Sequence, residues 1–219
     1  MNTVHYPTER LETLLHDQTV ATMPTLKAAL GTPVTQTVLR KLGPLNYRTS
    51  YSHGGTYYTL DSLAHFDERG LWAYRDIYFS RYGTLLNTAE VLVTQSAAGY
   101  QVPELEALVH VAAKDALRHL VQAGRLFRRE WEGRYLYCAE DRTRRQEQWA
   151  ARQAQQEKAD DLQAAKALFY SLLDEQQRRL YAGLESLQYG YGGQEHTARR
   201  LGLDVDTVAR GERELRRGQ

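Results

Sequence analysis

The sequence predicts a mainly α fold with small β-hairpin wings: two winged helix-turn-helix units in tandem, then a C-terminal helix-turn-helix. Three observations carry this. Short segments of helical apolar periodicity stop at glycines, among them Gly31, Gly43, Gly99, Gly124 and Gly202. Twice within the first 140 residues, three such segments precede a pair of strand-like runs around a turn, Ser52-His53-Gly54-Gly55 and then Glu132-Gly133. After Leu162, helical periodicity returns and is interrupted by Gly190-Tyr191-Gly192-Gly193 and by Gly202.

The first unit is expected over residues 1–60. Thr8 to His16 reads as a helix with Leu11, Leu14 and Leu15 on one face. Thr22 can cap a second helix running to Leu30 and ended by Gly31. Thr32-Pro33 reads as an N-cap and first helical position, opening a third helix to Leu42. Its buried stripe is read as Val34, Val38 and Leu42. Tyr47 to Tyr51 and Thr56 to Leu60 have the Tyr and Thr content of strands.

Residues 61–81 form an aromatic connector with Phe66, Leu71, Trp72, Tyr74, Ile77, Tyr78 and Phe79. The simplest reading is a shared core joining the two units; the alternative is a base-stacking platform. Asp61, Asp67 and Glu68 read as the ends of a helix containing His65. The second unit, residues 82–140, repeats the plan with helices at Tyr82 to Ala98, Pro103 to Val111 and Ala113 to Ala123. A hairpin, Arg125 to Trp131 with Arg134 to Ala139, closes it. Residues 141–166 are rich in Gln, Ala, Arg and Glu, with Trp149 as their large apolar residue. They read as a polar helical or flexible linker that buries almost nothing. Residues 167–219 form the C-terminal unit: helices at Asp174 to Leu187, Gln194 to Leu201 and Val205 to Leu215, with Val205, Val208 and Leu215 facing the core.

Composition narrows the function. The chain of 219 residues has a net charge of +1, which is not the strongly basic balance of a nonspecific nucleic-acid coat. No apolar run approaches a membrane span. The start of the chain, Met1 to Arg10, lacks the apolar stretch of a signal peptide. Cys138 is the only cysteine, so neither a disulfide framework nor a cysteine-based zinc site is expected, and a reducing cytoplasm fits best. From Gln18 to Leu60 there is no Asp or Glu, while Lys27, Arg40, Lys41, Arg48 and His53 are present. An acid-free basic stretch on a near-neutral chain is the footprint of a phosphate backbone partner.

In a helix-turn-helix the second helix of the pair enters the major groove. On the third helix, Gln36, Thr37 and Arg40 lie opposite the apolar stripe, with Lys41 on the flank. Gln pairs bidentately with adenine and Arg with guanine. Arg48, Ser50, Tyr51, Ser52, His53 and Tyr57 on the following hairpin are phosphate-compatible donors. In the second unit Lys114, Arg118 and His119 face outward and Arg128 follows on the strand; Asp115, Glu130 and Glu132 dilute their charge, so protein contact is an open alternative there.

In the C-terminal unit Ala198, Gly202 and Val208 occupy the small-residue, turn-glycine and core-aliphatic positions of a simple helix-turn-helix. Thr207, Arg210 and Arg213 face out, and Arg199 and Arg200 precede the turn. The segment 175–215, with QRRLYAGLESL, YGYGG and ARRLGLDVDTVARGEREL, resembles the N-terminal helix-turn-helix region of a family of bacterial insertion-sequence transposases. The resemblance implies DNA contact by Thr207 and Arg210. It covers about one fifth of the chain and does not reach that family's acidic nuclease core, so catalysis is not carried over.

No P-loop, H-E-x-x-H or G-x-S-x-G motif occurs. Cys138, beside Tyr135 and Tyr137, reads as a packed strand residue rather than a nucleophile. No catalytic residue, cofactor or metal site is read. The expected function is sequence-specific binding of double-stranded DNA by a nucleoid-associated cytoplasmic protein, as a transcriptional regulator or mobile-element accessory factor. Its further partner would be a second copy or a larger protein. The alternative is an adaptor whose tandem units contact protein in a chromosome-organising or defence complex.

Overall fold

The computed structural model describes residues 6–217; residues 1–5 of the first expected unit and residues 218–219 of the last lie outside them. The described chain is mainly helical, with three small antiparallel sheets, and divides into two compact units at Gln153/Ala154.

The first unit opens with α1 (Glu9–Gln18), β1 (Ala21–Thr22), α2 (Met23–Leu30), α3 (Thr35–Leu42), β2 (Tyr47–Thr49) and β3 (Tyr57–Leu60). The hairpin β4 (Leu71–Tyr74) and β5 (Ile77–Ser80) comes next, followed by α4 (Leu85–Gln95), β6 (Tyr100–Gln101), α5 (Val102–Val109), α6 (Lys114–Gln122), β7 (Leu126–Trp131) and β8 (Arg134–Ala139). The two three-stranded sheets have the orders β1-β3-β2 and β6-β8-β7. Each repeat therefore runs helix, strand, helix, helix, strand, strand, and in each the last strand lies in the middle of the sheet. Leu11, Leu15, Leu26, Leu30, Val38, Leu42 and Leu60 form the core of the first repeat. Leu92, Val93, Leu105, Val109, Leu117, Leu120, Leu126 and Tyr137 form that of the second. These are the residues that helical and strand periodicity place on the inner faces.

Four sequence expectations are corrected. Helix α3 begins at Thr35, not at Thr32-Pro33. The Val34 amide donates to Thr32 Oγ1 at 3.3 Å, a local bond that competes with helix formation. Val34 is left extended and 51% exposed, so the inner stripe is Val38 and Leu42 without it. No helix surrounds His65; the Asp67 carboxylate instead accepts the amides of Arg69 and Leu71 at 3.0 and 2.8 Å and turns the chain into β4.

The third correction concerns residues 141–153. Helix α7 (Arg142–Leu172) starts inside the first unit, so the stretch after residue 140 does not simply lie in solvent. Gln148 is fully buried. Its Oε1 accepts the Ala139 amide at 2.8 Å, and its Nε2 donates to the carbonyls of Val93 at 2.7 Å and Ser96 at 3.0 Å. Arg144 donates to the carbonyls of Thr94, Gln95 and Ser96, which end α4, and Arg152 pairs with Glu104. Polar side chains thus dock this helix by satisfying backbone groups that would otherwise be unpaired.

The second unit continues α7 from Ala154 and adds α8 (Glu175–Tyr189), α9 (Gly193–Leu201) and α10 (Val205–Arg217). Asp174 and Gln177 form a reciprocal capping box at the start of α8. Ala182, Ala198 and Val208 form a small core. Gly202 ends α9 with φ 66°, a left-handed conformation that side chains resist. Asp204 caps α10 through the Asp206 amide at 3.1 Å. Val205, expected in the core, is exposed; it is the first residue of α10, and the packed stripe begins one turn later at Val208.

Candidate nucleic-acid interface

The α3 face is built by the inward pull of Val38 and Leu42, which turns Gln36 and Arg40 to solvent and leaves Thr37 and Lys41 half-buried. None of these four side chains forms a hydrogen bond or ion pair with another described residue, so their donors and charges remain available to a ligand. The two carboxylates nearest in sequence after this stretch that touch it are already engaged: Asp61 with Arg48, and Asp76 with His53.

The hairpin that follows does not present the projecting row of donors expected of it. Arg48 Nε donates to Asp61 Oδ1 at 2.6 Å, and its Nη1 to the Arg81 carbonyl at 2.8 Å. The Tyr51 hydroxyl donates to the Val109 carbonyl at 3.0 Å, and the Tyr51 ring stacks on Tyr78. Burial, reinforced by Tyr78 and Asp67, raises the Tyr51 phenol above its ordinary pKa. Ser50 and Ser52 are buried, and Ser52 Oγ accepts the Tyr78 amide at 2.9 Å. His53 stays exposed, held by Ser52 Oγ at 3.0 Å with Tyr57 edge-on at 5.5 Å. The physical reason lies in its neighbours: β5 takes Ser52 Oγ and the Tyr51 amide through Tyr78, the Val109 carbonyl takes the Tyr51 hydroxyl, and the turn satisfies Ser50 Oγ itself through the Ser52 carbonyl.

On α6, Lys114, Arg118 and His119 are exposed, but Arg118 pairs with Asp115 at 3.2 Å. Arg128 lies 4.4 Å above the Tyr135 ring. Arg125 is spent on Glu90 and Asn87. Arg129, Arg145 and Trp149, which the sequence does not bring together, form a cationic aromatic cluster on the back of β7–β8. Its signal was hidden because Arg145 and Trp149 stand in the polar stretch after residue 140.

In the second unit, Arg199 and Arg213 are exposed and form no side-chain bond with another described residue. Arg200 is occupied by Glu185 and Gln163. Burial disfavours the Glu185 carboxylate, yet hydrogen bonds from Lys166 and Arg200 outweigh it and hold this carboxyl below its usual range. Arg210 is exposed but bonds Glu214 at 2.9 Å; Arg179 and Arg210 together keep the Glu214 carboxyl low. Thr207 is half-buried. The structure thus brings Gln36, Thr37, Arg40 and Lys41 together on α3, and Thr207, Arg210 and Arg213 together on α10. It gives Arg48, Tyr51 and Arg200 partners within the chain.

Among the described residues no cluster of three or more His, Cys, Asp or Glu could hold a metal ion. None of their helices is long and apolar enough to cross a membrane. Compared with known protein families, characterised proteins and solved structures, the chain matches none significantly.

Proposed function

We propose that the chain is a non-catalytic, sequence-specific double-stranded DNA-binding protein that reads the major groove with α3. The observation that carries this is the outward face of α3: Gln36, Arg40 and Lys41 have no internal partner and sit within an acid-free stretch from Gln18 to Leu60. A guanidinium and an amide on one exposed helical face match the edges of guanine and adenine. The repeated helix–strand–helix–helix–strand–strand order, with the last strand central, supports a winged helix-turn-helix in each repeat. In that arrangement the third helix is the reader.

The second repeat contributes less on this reading. Arg118 must give up Asp115 to meet DNA, and the back of its wing is covered by α7. The short α9, the left-handed Gly202 and α10 support a further helix-turn-helix, in keeping with the transposase-region resemblance. Arg199 and Arg213 would clamp phosphate there. Such a protein would be nucleoid-associated and act as a regulator or mobile-element accessory factor. Selection of binding sites from random duplexes, followed by titration at several salt concentrations, tests the proposal. A salt-dependent preference for one sequence is expected, and binding without sequence preference would sink it.

A second reading, contact with another protein or a second copy, is favoured by one observation. Leu162, Leu168, Phe169 and Leu172 are all more than half exposed on the C-terminal part of α7. Side chains of this size are seldom left together in solvent.

A further inference from the structure

The sheet β6-β8-β7 has two faces. Leu126 and Tyr137 point into the core of the second repeat. Phe127 and Arg129 alternate to the other face, where the register sets Phe127 opposite Cys138. Helix α7 crosses this outer face and lays Arg145 and Trp149, four residues apart and on one side of the helix, over the strands. Between helix and sheet lies a cavity of about 220 Å³, lined by Phe127, Arg129, Cys138, Arg145, Gln146 and Trp149.

The chemistry of this lining is one-sided. Two guanidinium groups border it and no carboxylate does. Arg129 lies 4.3 Å over the Trp149 ring, and Arg145 lies 4.3 Å over the Phe127 ring. A guanidinium held over an aromatic face keeps edge N–H groups free to bond elsewhere. Arg145 gives one N–H to the Glu140 carbonyl at 2.9 Å, and the Glu140 carboxylate stands off at 3.9 Å. Arg129 has no carboxylate within ion-pair distance among the described residues. The floor is the buried Cys138, whose thiol stays neutral at physiological pH because burial pushes it up to about 11. The cavity is thus aromatic on its walls, soft at its floor and doubly positive at its edge.

We propose that this cavity binds a single-ring aromatic acid, with the ring between Phe127 and Trp149 and the anionic group facing Arg129 and Arg145. Size sets the ring count. An apolar cavity of about 150 Å³ takes a benzene ring, so this volume has room for one ring and one charged substituent. Charge sets the sign: a cation meets two guanidiniums, and a neutral ring leaves their N–H groups unanswered. The inference does not depend on DNA binding, since every residue in it lies on the back of the second sheet.

Thermal-shift and saturation-transfer titrations of the whole chain with benzoate and phenyl phosphate, at constant ionic strength, test it. Benzamide and benzylamine serve as neutral and cationic ring controls. At least one anion is expected to saturate and raise the melting temperature, with both controls weaker by about tenfold or more. The double variant Arg129→Gln/Arg145→Gln should lose that binding by a similar factor while keeping the circular dichroism spectrum. Arg129→Gln alone, at an exposed strand position, gives the same reading if the double variant does not fold. Failure of both anions to bind, equal binding of benzamide, or anion binding that survives Arg129→Gln would overturn the proposal.

Discussion

Gly183 and Gly211 face each other across the α8–α10 crossing so closely that neither has room for a side chain. A Cβ on Gly183 would fall within 2.5 Å of the Glu212 amide nitrogen, and one on Gly211 would overlap the Arg179 carbonyl. Both obstacles are backbone, which cannot rotate away. Gly183→Ala and Gly211→Ala are therefore each expected to destabilise the second unit by about 2 kcal/mol or more, at the upper part of the range for overpacking. Urea unfolding followed by circular dichroism measures this. Wild-type midpoints in both variants would mean the helices cross farther apart.

The docking of α7 on the first unit gives a second prediction. Gln148→Leu takes the side-chain acceptor from the Ala139 amide and one donor each from the Val93 and Ser96 carbonyls, which keep Ser96 Oγ and Arg144. A loss of about 1–3 kcal/mol is expected. A fragment ending at Gln153 should accordingly unfold cooperatively, while one ending at Asp141 should be clearly less stable. Equal stability of the two fragments would show that the helix start contributes nothing.

Two arginines test the proposed division of DNA reading between the repeats. Arg40→Ala should weaken binding to a selected duplex by about 1–3 kcal/mol and relax one base position. Arg118→Ala should cost less than about 1 kcal/mol, because that guanidinium already shares Asp115. Electrophoretic titration of both variants decides the matter; the reverse order of effects would assign reading to the second repeat.

Cys138 gives a pH dependence with a defined sign. Its thiol is pushed from the ordinary value of 9.0 up to about 11, chiefly by burial. Below the ordinary value the folded and unfolded thiols are both protonated and the full stability is present. As pH rises from there toward 11 only the unfolded thiol ionises, and stability is lost. Wild type should lose more stability than Cys138→Ala between about pH 8 and about pH 10.5. Parallel losses in the two proteins would show that the thiol is open to solvent.

What the sequence made legible was the part written in apolar spacing. Leu26, Leu30, Val38 and Leu42 repeat at helical intervals, and Gly31 marks the turn between their helices, so α2 and α3 could be placed to within a few residues. The β4–β5 hairpin escaped because its two-residue turn is Arg75-Asp76, without the glycine or asparagine that announces such turns, although Arg75 takes φ 58°. Gln148 escaped for a different reason. A buried amide inside a polar stretch has no periodic signature, and its role depends on carbonyls some fifty residues away in the chain. The candidate face on α3 was readable because it needs only a helix and an absence of acids. The engagement of Arg48 and Tyr51 was not, since their partners Arg81 and Val109 are distant in sequence.

The fastening of the β2–β3 turn to β4–β5 through Tyr51, Ser52 and Tyr78, and to the end of α5 through Tyr51 with Val109 and Tyr78 with His110, ties two unequal repeats into one body within a single chain. A symmetric dimer meets a palindrome and lands the same way in either direction. Two different repeats locked together have no such symmetry. If both touch the duplex, the protein acquires a heading: it sits one way round on its target, and a neighbour on one side is not equivalent to a neighbour on the other.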